Sequence, residues 1–578
     1  MSPVATPTAA ETSPVVASQI RVSRLERFVT PQALIRLVLY LTILIYLRTI
    51  FFDFAYDDVP LILLNPWMAS WKSVPAFFTH SFWGFAEFPR PTDYYRPLVM
   101  TFLAVLHHTL VVPAWFHLAV LAVHVAVIYL AYQVTRELTG DGTMAAIAAG
   151  IFGLHPTKIE SVAWISGISD SLCMVFFLGS ILVYLRWKNR DSIGHVPVLS
   201  VLLLLLAMLS KEMAVVVPVL IALYELLTTQ GGFWEKVKSG ITRSLPYAVV
   251  VAMALGLRVY AMRDFSGGLG YKFRLSYSIY SAPQAILWYL SKQVWPLPVS
   301  LQYPLLTVTQ PTFLLFFMPL AGVALLAICL AVLLRKSVAG WFLVAWFVLT
   351  LAPVLAFGAV LQLHDRHMYT PSFATSVALA YVIVTFARRR QTSANMRLAT
   401  VVSMVCVALA LMTTLELRYW RDEITLFERV VAIAPQRVDA YSALAGAYLD
   451  RKDLDNAERT GLRWTQNTPD PMGGWLIVGE VRRERRDLSG ARQAFEQGFH
   501  VAKSPLAVGF AAQALGAVAM DDGKPAEAAR WYKEAIQGQP NAPMLHDYYG
   551  RALIQLGEKE KGEHELQIAQ KLRHRQAW

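Results

Sequence analysis

The sequence predicts an all-α protein, in which a polytopic membrane bundle of about eleven spans precedes a soluble solenoid of paired helices. Of its 578 residues, 56% are hydrophobic and only 16% are charged. Residues 418–578 carry 23 basic and 22 acidic side chains, whereas the longer part before them carries only 29 and 18. This composition excludes a disordered chain and is too apolar for an ordinary soluble enzyme.

The net charge of +12 falls almost entirely on the first 417 residues. In a membrane protein, such a basic excess belongs to the cytoplasmic loops. We therefore expect contact with membrane lipid and no nucleic-acid partner. The three cysteines exclude a disulfide scaffold. Because all three lie in apolar runs, none is a candidate metal ligand or nucleophile.

Three segments are predicted along the chain. Residues 1–30 are rich in Ser, Pro, Thr and Ala, and we expect them to form a disordered cytoplasmic tail. Residues 31–417 form the membrane domain, and residues 418–578 form the repeat domain. Basic residues between Arg21 and Arg36 precede the first apolar run, which places the N-terminus in the cytoplasm.

The number of spans follows from apolar length and from the positions of basic loop residues. Two runs, 97–112 and 283–297, are interpreted as surface or re-entrant helices, because counting either one moves basic clusters outside. The odd total places the repeat domain in the periplasm or an equivalent lumen, and we expect a bacterial inner membrane. The predicted spans are 33–51, 114–135, 143–154, 162–186, 196–209, 213–228, 243–262, 312–334, 339–361, 370–387 and 397–417.

Four polar clusters fall on the outer loops of this topology. Charged groups beside apolar helices are costly, and they are commonly functional or paired. Each cluster also has a structural interpretation as a solvated helix end, a helix cap, a local salt bridge, or a charge paired with a loop residue. The clusters are Asp57-Asp58, His155 with Glu160, Lys211-Glu212, and Asp365-Arg366 with Tyr369.

The residue types in these clusters indicate one kind of chemistry. Paired carboxylates at a membrane surface supply a general base or hold a divalent cation. An arginine beside them binds a phosphate through two hydrogen bonds. The combination suits a lipid-linked phosphate donor and a hydroxyl acceptor.

The last part of the chain repeats. Pro435, Pro469, Pro505 and Pro540 are 34, 36 and 35 residues apart, and turn signatures and glycines recur between them. A period near 34 with a closing proline is typical of tetratricopeptide helix pairs. Stacked pairs form a curved superhelix whose groove usually binds an extended peptide or a protein partner. A purely bracing role for the array is the alternative.

The acidic pair after the first span and the repeat tail together suggest a known family. The chain resembles the transmembrane and tetratricopeptide-containing O-mannosyltransferases of the C-type glycosyltransferase superfamily. The resemblance covers the membrane half as an ordered set of motifs. They are Tyr56-Asp57-Asp58 with Asn65-Pro66, Tyr95-Arg96-Pro97-Leu98, His117 and His124, His155-Pro156 with Glu160 to Trp164 and Asp170, Ser210-Lys211-Glu212, and Asp365-Arg366 with Tyr369 and Pro371-Ser372.

This resemblance implies an inverting enzyme that takes a sugar, in this family mannose, from a polyprenyl-phosphate carrier to Ser or Thr hydroxyls of exported proteins. It makes Asp57 the general base or the carboxylate that orients the acceptor, Asp58 its assistant and Glu160 the second acidic group of the site. Arg366 would hold the donor phosphate, with Lys211 as a second cation. A divalent cation stays open, with Asp58 and Glu160 as its ligands if present. The other implied site candidates are His155, Glu212, Asp365, Arg96 and Tyr369.

Two positions depart from the family pattern. Asp365 stands where the family often has Glu, and Ser169 replaces a common basic residue before Asp170.

Three other functions compete with this one. The first alternative is a transferase of the same superfamily that acts on a lipid or a polysaccharide. The second is a non-catalytic membrane scaffold that gathers partners in the repeat groove. A transporter is not favoured, because paired inverted halves are not visible in the sequence.

Overall fold

The computed structural model describes residues 30–86, 94–190, 197–262, 275–304, 306–335, 337–357, 363–388 and 394–576. Within these ranges the regular structure is helical and contains no β-strand, which confirms the all-α class. Most of the predicted tail at 1–30 lies outside the described residues. The boundaries at residues 30 and 417 stay predictions.

The membrane half consists of helices of very different lengths. In the part described, its α-helices are α1 Pro31–Tyr46, α2 Val74–Thr79, α3 Pro97–Thr109, α4 Pro113–Thr139, α5 Gly142–Leu154, α6 Ile159–Ala163, α7 Ile168–Lys188, α8 Val198–Ser210, α9 Val217–Thr228, α10 Phe233–Met262, α11 Leu275–Val294, α12 Met318–Leu334, α13 Val338–Phe357, α14 Ser372–Arg388 and α15 Ala394–Leu417.

Some of these helices are long and apolar enough to cross a membrane, so the chain is an integral membrane protein. They coincide with seven of the eleven predicted spans; the other four fall on the shorter helices α5, α8, α9 and α14. The count of eleven and the topology therefore stay predictions. In the described chain the long stretches are Pro31–Phe51, Pro113–Thr139, Ile165–Lys188, Phe233–Met262, Phe313–Leu334, Val338–Leu355 and Thr400–Trp420.

Helix α5 shows why a short apolar helix suffices in this bundle. Its 13 residues extend about 20 Å, less than the roughly 30 Å of a hydrocarbon core. Every residue from Met144 to Leu154 is buried, because α1, α4, α14 and α15 pack around it. A Cβ atom on Gly150 would lie 3.1 Å from Val38, so this glycine permits the close approach of α1. Protein rather than lipid surrounds α5.

Short helical turns interrupt the backbone where the predicted polar clusters lie. Asp58 is the N-cap of the π-helix Val59–Leu63, and His155 is the N-cap of the 3-10 turn Pro156–Lys158. Glu212 begins the 3-10 turn Glu212–Val216. Asp365 begins another turn, which ends at Met368. These breaks turn polar side chains inward at the ends of the apolar helices.

The second half begins with one helix and continues as four helix pairs, in agreement with the predicted repeats. Residues in the left-handed backbone region recur at the turn within each pair: Lys452, Arg486, Gly523 and Gly557, with φ of 57°, 64°, 68° and 86°. The repeat geometry therefore requires this conformation even where the residue is not glycine. The helices are α16 Glu423–Ile433, α17 Val438–Asp450, α18 Leu454–Asn467, α19 Met472–Glu484, α20 Leu488–Val501, α21 Pro505–Asp521, α22 Pro525–Gly538, α23 Pro543–Gln555 and α24 Lys559–Gln576.

Candidate active site

Asp57 lies on the turn between the first apolar helix and the π-helix Val59–Leu63. Its side chain is partly buried, and burial raises the pKa of Asp57 to about 6, while the Arg366 guanidinium opposes the rise. The preceding residue, Tyr56, has a φ of 56°, which costs a tyrosine about 1 kcal/mol or more. Its ring packs 6.1 Å from that of Trp164 and 5.2 Å from that of Phe427. These contacts hold a strained turn that presents Asp57.

Glu160 holds Arg366, whose positive charge acts on Asp57. The fully buried Glu160 carboxylate accepts the backbone N–H of Arg366 at 2.9 Å and pairs with Arg366 Nε at 3.4 Å. It also bonds the ring of His364, whose Nδ1 lies 3.2 Å from Oε1. The guanidinium carbon sits 5.1 Å from the centre of the Trp164 ring. Glu160 therefore orients Arg366 through its backbone and Nε, and neither contact uses the two Nη nitrogens.

Asp58, the predicted assistant of Asp57, is 1% exposed and engaged within the protein. Its Oδ1 accepts the backbone N–H of Ser166 at 2.8 Å and the Ser166 hydroxyl at 2.5 Å, and its Oδ2 accepts the N–H of Ala55 at 3.3 Å. Burial raises the pKa of Asp58 to about 7, and the Ser166 bonds counteract part of that rise. This geometry ties the Asp57 turn to the start of α7.

A second group of charges surrounds Lys211. Its Nζ lies 2.6 Å from Oδ1 of Asp170, and both side chains are buried. Arg96 donates to Glu212 at 3.1 Å and to the Ser169 hydroxyl at 3.3 Å. Burial acts to raise the pKa of Glu212, but Arg96 and Lys211 outweigh it and hold that pKa at about 2. The structure thus pairs each cation of this group with its own carboxylate.

The two charged groups lie close enough to interact. The pKa of His367 lies well below its usual value, mainly because the ring is buried. Positive charge on four neighbours lowers this pKa further: His364, Arg366, Lys211 and Arg96. Direct contacts therefore join the Glu160 and Arg366 clusters, and electrostatic interactions extend from Arg366 to Asp57 and from the His364–His367 turn to the Lys211 group. The roles predicted for the individual side chains stay predictions.

The remaining candidates serve as buried anchors. His155 accepts the backbone N–H of Thr157 on Nδ1, and its Nε2 lies 3.4 Å from the carbonyl of Gln293. Tyr369 is fully buried, with its hydroxyl 2.7 Å from Nδ1 of His124. Asp365 accepts the hydroxyl of Tyr303 at 2.5 Å. These contacts connect the site loops to the helices below them.

Sequence reasoning missed Lys158, a fully buried lysine between His155 and Glu160. Its ammonium donates to the hydroxyls of Thr157 at 3.2 Å and Ser372 at 2.5 Å, and it faces the ring of Phe152. Burial lowers its pKa to about 7, although Asp365 and Asp170 act in the opposite direction. A lysine within an apolar stretch is itself a signal for a structural or functional charge, and this one could have been noticed.

Asp58 and Glu160, the residues that would hold a divalent cation, do not fit one. The oxygens of Asp58 already accept hydrogen bonds from Ser166 and Ala55, and those of Glu160 face His364 and Arg366. A cation would have to displace these donors and sit beside the Arg366 guanidinium. Among the described residues no group of three or more His, Cys, Asp or Glu side chains is arranged to hold a metal.

Comparisons with known proteins bear on this arrangement. No family model matches the chain. The protein O-mannosyl-transferase TMTC3 of Mus musculus is 24% identical over 590 residues, which cover 89% of this chain and 61% of that protein. The Homo sapiens protein of the same name is 23% identical with the same coverage. TMTC2 of Mus musculus is 32% identical over 144 residues, 25% of this chain and 17% of that protein.

Solved structures provide more distant matches. The apo crystal structure of the Archaeoglobus fulgidus oligosaccharyltransferase has a TM-score of 0.36 and 13% identity, covering 68% of this chain and 56% of that one. The crystal structure of MamA has a TM-score of 0.24 and 17% identity, covering 27% of this chain and 88% of that one. The chain spans about three fifths of the length of the TMTC3 relatives. The curated relatives that match this chain over most of its length are protein O-mannosyl-transferases of the TMTC family.

Proposed function

We propose that this protein is a membrane glycosyltransferase that moves a sugar, with mannose as the first candidate, from a polyprenyl-phosphate carrier to a hydroxyl of a protein acceptor. One observation carries the proposal: the partly buried carboxylate Asp57 lies within electrostatic reach of Arg366, whose backbone N–H and Nε are held by Glu160 and whose guanidinium faces the Trp164 ring. The curated relatives named as protein O-mannosyl-transferases support it.

The proposed reaction moves a proton from the acceptor hydroxyl and leaves negative charge on the donor phosphate. The bond between the anomeric carbon and the phosphate oxygen breaks, and a bond from that carbon to the acceptor oxygen forms on the opposite face, so the configuration inverts. The hydroxyl proton passes to Asp57, which accepts it when the hydroxyl lies within hydrogen-bond reach. The phosphate gains one negative charge as it leaves. Arg366 stabilises this charge, and a well-placed donor of this kind contributes about 3 kcal/mol.

The surrounding side chains hold these two groups in place. Glu160 orients the guanidinium, and Asp58 fixes the turn that carries Asp57. Lys211 already pairs with Asp170 at 2.6 Å, so it contributes to the local field as one half of a neutral pair. A prenyl chain stays in the bilayer while its phosphate reaches the site at the helix ends. This placement explains why the site lies where the apolar helices stop.

The test is sugar transfer by the full chain in nanodiscs, with radiolabelled nonaprenyl-phosphate mannose and synthetic peptides rich in Ser and Thr. We expect Asp57→Asn to lower the rate by about 10²- to 10⁴-fold and Arg366→Ala by about 10²-fold. The matched controls are Asp53→Asn, four residues before Asp57 and exposed, and Arg418→Ala, also exposed. Full activity in Asp57→Asn or Arg366→Ala removes that residue from the mechanism.

The acceptor is tested separately. Glycan mass spectrometry on exported proteins should show missing O-linked sugars in a strain that lacks this chain. An unchanged protein glycoprofile with an altered surface polysaccharide would replace the protein acceptor by a polysaccharide. If both glycoprofiles were unchanged and the Asp57→Asn strain behaved as wild type, the scaffold alternative would stand instead.

A further inference from the structure

A short irregular segment, residues 298–303, connects the repeat domain to the loop that carries Arg366. We call this segment the strap. Five of its six residues, from Val299 to Tyr303, are almost completely buried, although it contains no regular structure. A buried irregular segment must satisfy its polar groups through specific partners. The partners of the strap lie on two different parts of the protein.

One end of the strap is bonded to the junction between α15 and the repeat domain. The N–H of Val299 donates to Glu416 Oε2 at 3.0 Å. Arg429 of α16 donates to both oxygens of Glu416, at 2.9 and 2.7 Å, and to the carbonyl of Val299 at 3.4 Å. The side-chain amide of Gln302 donates to Asp439 of α17 at 3.0 Å. The first repeat helices thus hold the strap by its backbone and by one side chain.

The other end of the strap is the buried hydroxyl of Tyr303. This hydroxyl accepts hydrogen bonds from Lys292 Nζ at 2.9 Å and from the N–H of Ser300 at 3.1 Å. Its single proton faces two acceptors, Asp365 Oδ2 at 2.5 Å and the Pro298 carbonyl at 2.7 Å. The carboxylate is the closer acceptor and the charged one, so it forms the stronger hydrogen bond. The Lys292 ammonium lies 3.9 Å from the other oxygen of Asp365, which has no hydrogen-bond partner in the described part of the chain. The Asp365 carboxylate is therefore held by Tyr303 and Lys292.

The Asp365 anchor lies next to the proposed donor site, because the following residue is Arg366. The backbone N–H of Arg366 donates to Glu160 at 2.9 Å. The Tyr303 ring packs in an apolar cluster that also receives Ile433 of α16. A chain of direct contacts therefore runs from the repeat domain, through the strap, to the residue before Arg366.

We propose that Tyr303 is a positioning residue for Arg366, and that the strap makes the geometry of the donor-phosphate site depend on the docking of the first repeat helices. The inference rests on the proposed function, since it takes Arg366 as the group that binds the donor phosphate. Tyr303 acts only through Asp365. Its removal therefore weakens phosphate binding without removing a charge from the site.

The test measures the affinity of undecaprenyl monophosphate for the full chain in nanodiscs, by native mass spectrometry. We expect Arg366→Ala to weaken binding by at least about tenfold, as for a lost charged hydrogen bond, and Tyr303→Phe by about fivefold. The matched control is Tyr441→Phe, because Tyr441 is also fully buried and its hydroxyl has no hydrogen-bond partner within the described residues. We expect this control to bind as wild type.

The outcomes separate the inference from the function on which it rests. Unchanged affinity in Tyr303→Phe, together with weakened affinity in Arg366→Ala, overturns the inference and leaves the donor site standing. Unchanged affinity in Arg366→Ala, or no binding by the wild type, overturns the proposed donor site itself and the inference with it.

A double-variant measurement separates positioning from a general loss of folding. In an Asp365→Ala background, the acceptor through which Tyr303 acts is absent, so adding Tyr303→Phe should change the affinity no further. A lowered unfolding temperature in Tyr303→Phe would not produce this non-additivity. Independent, additive losses in the two variants would show that Tyr303 does not act through Asp365.

Discussion

The membrane half and the repeat domain use charged side chains in different ways. In the membrane half, the side chains of Lys211 and Asp170 are only 9% and 5% exposed, and they lie 2.6 Å apart. In the repeat domain, the side chains of Lys452 and Glu484 are 75% and 32% exposed. Exposed pairs contribute about 0–1 kcal/mol, whereas breaking a buried pair leaves an uncompensated charge. Identical chemistry therefore has different consequences in the two halves.

The largest expected effect on stability comes from Lys211→Met. This change leaves Asp170 buried without its cation, and we expect unfolding in SDS mixed micelles to require about 3–5 kcal/mol less. The matched control is Lys452→Met, which removes an exposed cation and should cost less than about 1 kcal/mol. Equal effects of the two substitutions would contradict the comparison.

A smaller effect is expected from Asp58→Asn. The carboxylate accepts from Ser166 and Ala55, whereas an amide offers one acceptor oxygen and directs an NH₂ group at a donor. We expect a loss of about 1–3 kcal/mol in the same unfolding measurement, because buried donors lose their partner. An unchanged free energy of unfolding in Asp58→Asn would show that the Asp57 turn is held by packing alone.

The pH dependence of sugar transfer tests whether the Arg366 charge acts on Asp57 within the membrane half. Asp57 must be ionised to accept a proton, so kcat/KM should rise with pH through about 6, the pKa to which burial raises it. Arg366 opposes that rise, so Arg366→Gln should shift the acidic limb to higher pH. Arg366→Lys keeps the positive charge and serves as the control, with a smaller shift. An acidic limb that stays in place in Arg366→Gln would exclude Asp57 as the titrating group.

The smallest expected effect lies in a repeat turn. Arg486 is exposed and has a φ of 64°, so Arg486→Gly relieves left-handed strain while adding freedom to the unfolded chain. We expect a net gain of about 0.5 kcal/mol, measured as slower hydrogen exchange in α19 and α20 of the full chain. The control is Arg451→Gly, at a position with a φ of −86°, which should destabilise its own helix pair. Destabilisation by Arg486→Gly would contradict the strain argument.

Much of the fold was predictable because it is local. Periodic prolines and turn signatures predicted the helix pairs, and apolar length predicted seven of the spans. A short helix such as α5 is harder to assign, because a helix buried among other helices has no need of a full bilayer length. Composition alone does not distinguish such a helix from a membrane span.

The candidate site was predictable in its residues but not in its pairings. Asp57, Glu160 and Arg366 were recognisable as polar groups beside apolar helices, in an order that resembles a known family. The partner of Lys211 is 41 residues away, at Asp170, and the partner of Asp365 is 62 residues away, at Tyr303. No local pattern encodes such pairs, because they form only where helix ends meet in space.

The sequence by itself determined the helical class, the long membrane helices, the repeats and the set of polar residues beside the apolar helices. The tertiary structure decided which carboxylate holds which cation, that Lys158 is buried, and that the strap links the repeat domain to Asp365. The physical reason is the separation along the chain over which each effect acts. Periodicity and hydropathy act along neighbouring residues, whereas a buried charge is stabilised only by the group that the whole packing places within about 3 Å of it.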